Sequence, residues 1–431
     1  MVEQGKQGSK RGLFGISRNV FFLGWVSLLT DVSSEMIFTV TPLFLLNVLR
    51  VGTPVIGLIE GIAESTASFF KLFSGWLSDR LGRRKDLAVL GYGLSTLAKP
   101  FLYFAGSWGA VLAVRFTDRL GKGIRASPRD ALVADSTSSK EMGKSFGFHR
   151  AMDTMGAVIG LSIAALIIYL VQKDTFELTR KSFRVLVLAG IGPAVLALLL
   201  LLIFVREKRR KASPKSGNDA TGQLSQCTGE AGEAKTGFNL QFKLFLLIML
   251  VFTIGNSSDV FLTLRAQNLG FSVIQILMML VVFNLVYALT SLPAGLISDR
   301  LGRKGVIIIG WLFYALTYLG FAVASAAWQV WLLFALYGLY YGVSEGVCRA
   351  LVCDLVPVDR RGTAYGLYHT VIGISLLPAS LIAGWLWYLI GPAAPFYFGA
   401  SMSGVAMVGL WLLIRGQTNR AANIAQAKHS R

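Results

Sequence analysis

Cysteine and histidine are nearly missing from this chain, three of each in 431 residues. Cys227, Cys348 and Cys353 make no CxxC pair and no even framework, which excludes a disulfide scaffold and leaves free thiols. The histidines lie far apart, so no metal cluster can be read and neither metal nor cofactor is expected. There is no HExxH pair, no recognisable nucleophile elbow, and hence no expected catalytic residue; the chain is not read as an enzyme. Charge is scarce too, at 15% of residues, and lopsided, with 23 Asp and Glu against 42 Lys and Arg. That composition lies outside the habits of a soluble domain.

What the chain has instead is length of apolar sequence: 54% hydrophobic residues, 12% aromatics and a mean hydropathy of +0.59. A spanning helix needs about 20 mostly apolar residues. Twelve stretches qualify, at 19–46, 54–77, 87–105, 108–133, 145–171, 183–205, 242–264, 272–297, 306–326, 328–355, 363–390 and 394–415. The fold class expected is an all-α polytopic membrane protein whose first partner is the lipid bilayer. Within the first stretch the run "FFLGWVSLL" is followed by Asp31 and Glu35, not by a small-residue cleavage site, and is read as part of an uncleaved span. With the N-terminus placed inside, most of the Lys and Arg fall on the cytoplasmic side, eight of them between 206 and 243. The asymmetry places both termini in the cytoplasm and accounts for the net charge of +19 without nucleic acid.

Residues 206–238 are polar and rich in Gly, Ser and Thr, as expected of a cytoplasmic linker. They divide the chain into a bundle at 1–205, a linker at 206–241, a second bundle at 242–415 and a tail at 416–431. The two halves repeat. "GWLSDRLGRRK" from Gly75 returns as "GLISDRLGRKG" from Gly295, and "ALVAD" at 131 returns as "ALVCD" at 350. Near the first span of each half, "SSE" ending at Glu35 answers "SSD" ending at Asp259. Matches in this order point to duplication, and parallel six-helix repeats place a substrate site between the halves near the midplane.

On these residues the chain resembles a major facilitator superfamily transporter over essentially its whole length. Gly75, Asp79, Arg80, Gly82, Arg83 and Arg84 match the family signature between spans two and three, and Gly295, Asp299, Arg300, Gly302 and Arg303 form the second copy. The resemblance implies that this loop, Asp79 and Asp299 above all, gates the cytoplasmic side. It also implies a monomer in a bacterial inner membrane, with spans 1, 4, 7 and 10 lining a central cavity for a small-molecule substrate. Read without the family, the glycines permit close helix approach, the aspartates can meet helix N-termini or arginines, and the loop could equally be a plain basic turn anchor.

The fourth span is dense with charge: "RFTDRLGKGIRASPRD" runs from Arg115 to Asp130. Arg115, Asp118, Lys122, Arg125 and Arg129 step by 3, 4, 3 and 4 and so share one helix face. A charge at the bilayer centre costs about 2.5 to 3.5 kcal/mol, so these side chains must face water, other helices or ligand. Alternatively the span stops early and 119–130 is a loop, as Pro128, Gly121 and Gly123 allow. A phosphate-binding P-loop is excluded, because the GxxxxGK[ST] spacing is absent. Asp118, Arg119 and Lys122 depart from the family's fourth-span signature, which points away from generic drug export and toward a charged substrate. The stretch "DRLGKGIRASPRDAL" also resembles a bacterial subgroup with magnetosome-associated members, which implies iron or an iron chelate as an alternative cargo.

Other ionisable residues within spans are functional candidates. Asp31 and Glu35 lie on span one, Glu60, Glu64 and Lys71 on span two, His149, Arg150 and Asp153 on span five, Asp259 on span seven, Glu345 and Arg349 on span ten. The substrate cavity is assigned to Arg115, Asp118, Lys122, Arg125, Glu345 and Arg349. Proton coupling is assigned to Asp31, Glu35 and Asp259, since carboxylates withdrawn from water take up protons more readily. Glu60 and Lys71 rank below these. The bland alternative pairs Asp31 with Arg115 and Asp153 with Arg150 to hold the bundle; His149 and Asp153 form a hydrogen-bonded pair or a relay, and Tyr337, Tyr340 and Tyr341 pack or stack on substrate. The function expected is secondary active transport by alternating access of an anionic or zwitterionic solute, coupled to protons. Efflux of amphiphilic compounds is the main rival, disfavoured by the absence of a Gly-Pro on span five, where Gly156 and Gly160 form a packing face. A receptor scaffold and an intramembrane enzyme fit less well.

Overall fold

A bilayer interior offers no water to backbone amides, so a chain this apolar must satisfy them within helices. In the computed structural model, which describes residues 17–137, 142–172, 176–207, 238–356 and 361–429, every regular element is helical. In chain order these are α1 (Arg18–Phe38), α2 (Thr41–Asn47), α3 (Thr53–Leu81), α4 (Arg84–Ala98, continued as a 3-10 turn over Lys99–Phe104), α5 (Trp108–Asp135), α6 (Met142–Gln172) and α7 (Arg180–Phe204). The second half repeats the series with α8 (Leu240–Gly255), α9 (Val260–Asn268), α10 (Val273–Leu301), α11 (Arg303–Val323), α12 (Ala327–Leu355), α13 (Arg361–Leu389) and α14 (Ala394–His429). Spans one and seven are each broken into two helices. The linker with Cys227 lies outside the described residues, and α14 continues past the expected boundary at 415.

Helix ends follow local chemistry. Ser107 accepts from the Ala110 amide, Thr179 from Ser182, and Ser272 with Gln275 forms a capping box. Gly82 closes α3 in the left-handed region at φ 61°, and Gly302 turns α10 into α11 at φ 90°. These are the glycines of the repeated signature, and their backbone conformation explains that residue type there.

Among the described residues, ten helical segments are long and apolar enough to cross a membrane by composition alone. The two that fall short are the charged helices, 29-residue α3 and 28-residue α5, which still have the length of a span. α5 runs unbroken from 108 to 135 through Pro128, so the early-ending alternative is overturned. It is clamped between α3 and α4. A Cβ on Gly121 would fall 2.5 Å from the Gly91 carbonyl oxygen of α4, and one on Gly123 would fall 2.7 Å from Phe70 Cβ of α3. Both glycines therefore let backbones touch, and Lys122 between them is left pointing away from both contacts, exposed.

α6 seats α1 in the same manner. Cβ atoms at Gly156 and Gly160 would lie 2.5 and 2.6 Å from the carbonyl oxygens of Leu28 and Val32, directly behind Asp31 and Glu35. The two bundles meet along α3 and α13, where Thr53 donates to the Gly384 carbonyl at 3.3 Å and Ser65 to that of Gly373 at 2.7 Å, and along α6 and α10. Asn19 donates to the Arg206 carbonyl at 2.7 Å and to Ser136 at 3.1 Å, which sets the start of α1 and the ends of α5 and α7 at one end, called here the linker side.

Candidate functional site

A cavity of about 590 Å³ lies between the bundles. The walls contain Asp31, Glu35, Arg115, Asp118, Lys122, Arg125, Asp259, Glu345 and Arg349, every residue assigned above to substrate or coupling. Glu60, Glu64 and Arg119 line it as well. Since α5 supplies cations and an acid at three- and four-residue steps, one helix face carries most of the charge.

The cations differ in what they are free to do. Arg115 is 2% exposed, pairs with Glu60 and lays its guanidinium 4.8 Å from the Phe38 ring centroid. One turn on, Arg119 pairs with Glu64 at 3.1 Å. Glu60 and Glu64 on α3 thus meet Arg115 and Arg119 on α5 as two successive rungs. Arg125 is 5% exposed, donates to Ser95 Oγ at 2.7 Å and stacks over Tyr92 at 4.5 Å. Arg349 pairs with Glu345 on its own helix. Lys122 and Arg349 are both exposed, but Lys122 alone of this set has, among the described residues, neither a hydrogen-bond partner nor a carboxylate within 4.0 Å.

The acids divide similarly. Asp259, at the break between α8 and α9, accepts from Tyr337 at 2.6 Å and from Tyr341 at 3.3 Å. Glu35 accepts from Thr39 at 2.7 Å. Asp31 is half-buried in the cavity wall, and Asp118 is buried with one carboxylate oxygen unpartnered among the described residues. Behind this face Lys99, fully buried, donates to Ser33 at 2.7 Å and Ser34 at 3.1 Å.

The pairings that the bland alternative expected are replaced. Arg115 joins Glu60, not Asp31, because α3 and not α1 packs on that face of α5. Arg150 reaches across the bundles to Tyr287, which in turn donates to Glu345; the Arg150 and Glu345 charges lie 3.7 Å apart. Asp153 accepts from Ser27 and stands 3.7 Å from His149 Nδ1, outside hydrogen-bond reach. Glu60, ranked low from sequence, is a principal counter-ion; Glu64 and Arg119, noted from sequence, were given no place in the site, and Lys99 and Tyr287 were missed. The signal for the rungs was present: acids four apart on one span, arginines four apart on another.

The signature loops clamp their own bundles. Gly75 brings α3 close to α5, where an added Cβ would sit 3.3 Å from Ser127, and Arg80 stacks over Trp76 at 5.3 Å. Arg83 precedes α4 as its N-cap residue, and Arg84 pairs with Asp135 and donates to the Ala131 carbonyl at 3.3 Å. The Glu207 carboxylate accepts from the Arg84 and Lys85 amides at 2.8 and 2.9 Å, capping α4. In the second half Arg303 pairs with Asp354 at 2.9 Å and donates to the Ala350 carbonyl. Asp135 and Asp354 end the repeated "ALVAD" and "ALVCD", so the duplicated strings are the duplicated halves of these clamps. Gly295 and the side chains of Asp79, Asp299, Arg300 and Cys353 lie outside the described residues.

Gly342 to Gly346 spells G-x-S-x-G, but it sits inside α12, and Ser344 donates to the Tyr340 carbonyl at 2.6 Å; a nucleophile elbow needs a strand-to-helix turn. Cys348 is a buried free thiol in the cavity wall. No group of three or more His, Cys, Asp or Glu converges among the described residues.

Comparison with known proteins agrees with this architecture. A family model described as Major Facilitator Superfamily matches residues 23–264 and again 244–430. The chain is similar to an uncharacterized MFS-type transporter of Methanocaldococcus jannaschii, 37% identical over 419 residues that cover 96% of this chain and 98% of that protein. An uncharacterized protein of Mycobacterium tuberculosis is 29% identical over 384 residues, covering 88% and 89%. Among solved structures, a nucleoside transporter superposes with a TM-score of 0.74 at 13% identity, covering 91% of this chain and 99% of its own, a likeness of fold.

Proposed function

The chain belongs to the major facilitator superfamily of transporters, and from that membership we propose that it moves a small anionic or zwitterionic solute across the membrane by alternating access, coupled to protons. The single observation that carries the substrate charge is Lys122, an exposed ammonium in a bundle cavity with no carboxylate on it. Held by glycine contacts on both sides, it offers charge to a ligand without first breaking an ion pair. The acids on the same wall, Asp31, Glu35 and Asp118, make the cavity amphoteric, which favours a zwitterion over a simple anion.

Asp31, Glu35 and Asp259 serve as coupling acids. None of the three has a basic side chain within 4.0 Å among the described residues, so each can change protonation without disrupting a bridge. The two signature loops, Asp79 and Asp299 included, gate the side that carries the linker, which this reading makes the cytoplasmic face of a bacterial inner membrane. Efflux of amphiphilic compounds is the second reading, favoured by aromatic side chains on the far wall.

Thermal stabilisation of the purified protein by organic anions, zwitterions, lipophilic cations and iron chelates decides between these, since a ligand that binds only the folded state raises the melting point. The proposal expects stabilisation by an anion or zwitterion in the wild type and its loss in Lys122→Gln. Stabilisation by lipophilic cations alone replaces it with the efflux reading.

A further inference from the structure

The two cavity walls have diverged although the halves are repeats. At the offsets of the repeated strings, Glu60 and Glu64 answer to Leu280 and Asn284, and Lys122 answers to Tyr341. The first bundle keeps charges at these places, and the second has put neutral and aromatic side chains there. The result is one wall dense in charge facing one that sets aromatic rings beside Asp259, Glu345 and Arg349, with Tyr341 donating to Asp259 at 3.3 Å.

Two rings on the aromatic wall are available to a ligand. Phe283 and Tyr341 are half-buried and stand edge to face, 5.5 Å between centroids and 85° between planes. Tyr337, 1% exposed, stacks on Phe283 at 5.5 Å and braces it from behind. Such a corner, backed by packed rings, leaves aromatic surface on the cavity for a flat group to contact. A solute with charge alone would leave it wet, and one with a ring alone would leave Lys122 unanswered.

From this division we infer that the substrate carries a flat aromatic or heteroaromatic ring joined to an anionic group, the ring against Phe283 and Tyr341 and the anion against Lys122. The inference rests on the proposed reading of the cavity as a substrate site and narrows the solute to ring-bearing anions, zwitterions among them. Aromatic contact of this kind adds about 0.5–1.5 kcal/mol beyond burial, which is a factor of about 2 to 12 in Kd.

Three matched sets of probes test it by thermal shift and titration calorimetry: indole-3-acetate with indole, tryptamine and acetate; benzoate with benzyl alcohol, benzylamine and formate; adenosine monophosphate with adenosine and ribose 5-phosphate. In at least one set the ring-bearing anion stabilises most, by about 3 °C near 100 times its Kd. Phe283→Leu, with Phe283→Met as a second ring-free variant, removes the advantage over the ring-free anion, Phe283→Tyr keeps it, and Lys122→Gln removes the advantage over the neutral ring. If ring-free anions match their partners in every set, the ring is refuted while the anionic reading stands. If neutral rings or amines bind best, both readings fall. If none of the probes stabilises the wild type, the inference is overturned, and the wider anion and zwitterion panel then judges the proposed function separately.

Discussion

Glu60→Gln removes the carboxylate from a pair in which both side chains are at most 3% exposed, and leaves Arg115 charged inside the bundle. Two further guanidinium nitrogens, Nε and Nη1, already lack partners among the described residues, so nothing nearby takes over. Breaking a buried pair from one side costs about 3–5 kcal/mol. With an unfolding entropy of about 2.1 cal/mol/K per residue over 431 residues, the melting point falls by roughly 3–6 °C. The neighbouring rung is an internal control. Glu64 is 35% exposed to the cavity and Arg119 14%, so solvent screens that pair, and Glu64→Gln costs about 1 kcal/mol or less. The assay is thermal unfolding of detergent-solubilised Glu60→Gln, Arg115→Gln and the double variant beside Glu64→Gln. A double-mutant cycle should show the double variant more stable than the sum of its parts predicts. Equal losses at the two rungs, or strict additivity at the first, would falsify the account of Arg115 as a buried, singly compensated charge.

Close helix contacts give further predictions. Gly121→Val forces α5 off α4 and is expected to abolish a folded, monodisperse protein on size exclusion, whereas Gly93→Ala on α4, with nothing within 4 Å of an added Cβ, leaves it intact. Gly57→Ala places a methyl on the Ser380 carbonyl and pries α3 from α13, so spin labels across the bundles away from the linker side should show a longer mean distance by electron resonance; an unchanged distance counts against the contact. Arg150→Gln unties α6 from Tyr287 and Glu345. In a Cys227→Ser, Cys353→Ser background it should speed alkylation of Cys348 by a small maleimide, and an unaltered rate would mean that this bridge does not restrict access from that side. Asp135→Asn and Asp354→Asn each remove one clamp beside a signature loop and should lower the melting point by similar amounts, because the pairs are repeats.

Much of the site could be read from residue spacing. The 3-4-3-4 steps of Arg115, Asp118, Lys122, Arg125 and Arg129 required one charged face, and the cost of charge in lipid required that face to point inward. Both hold in α5, which stays helical through Pro128. Spacing could not say which of those cations would be engaged. Arg115 and Arg125 differ from Lys122 only through what α3 and α4 place opposite them, Glu60 in one case and Ser95 with Tyr92 in the other. The breaks in spans one and seven were also not foreseen: Thr39 and Val40 do not interrupt the apolar run, and the turn signal of Asn256, Ser257, Ser258 and Asp259 was absorbed into a span by the apolar residues on either side.

By itself the sequence determined the membrane, the duplication and the inward direction of charge, because transfer into lipid penalises each residue by type and depth whatever its neighbours. Only the tertiary structure decided the partners. Which two helix faces meet depends on where glycines let backbones approach, Gly91 on Gly121, Gly123 on Phe70, Gly156 on Leu28. That choice is made between segments tens to more than a hundred residues apart, where no local pattern reaches. It turned four similar cations into paired counter-ions, a bracing arginine and a lysine free to meet a ligand.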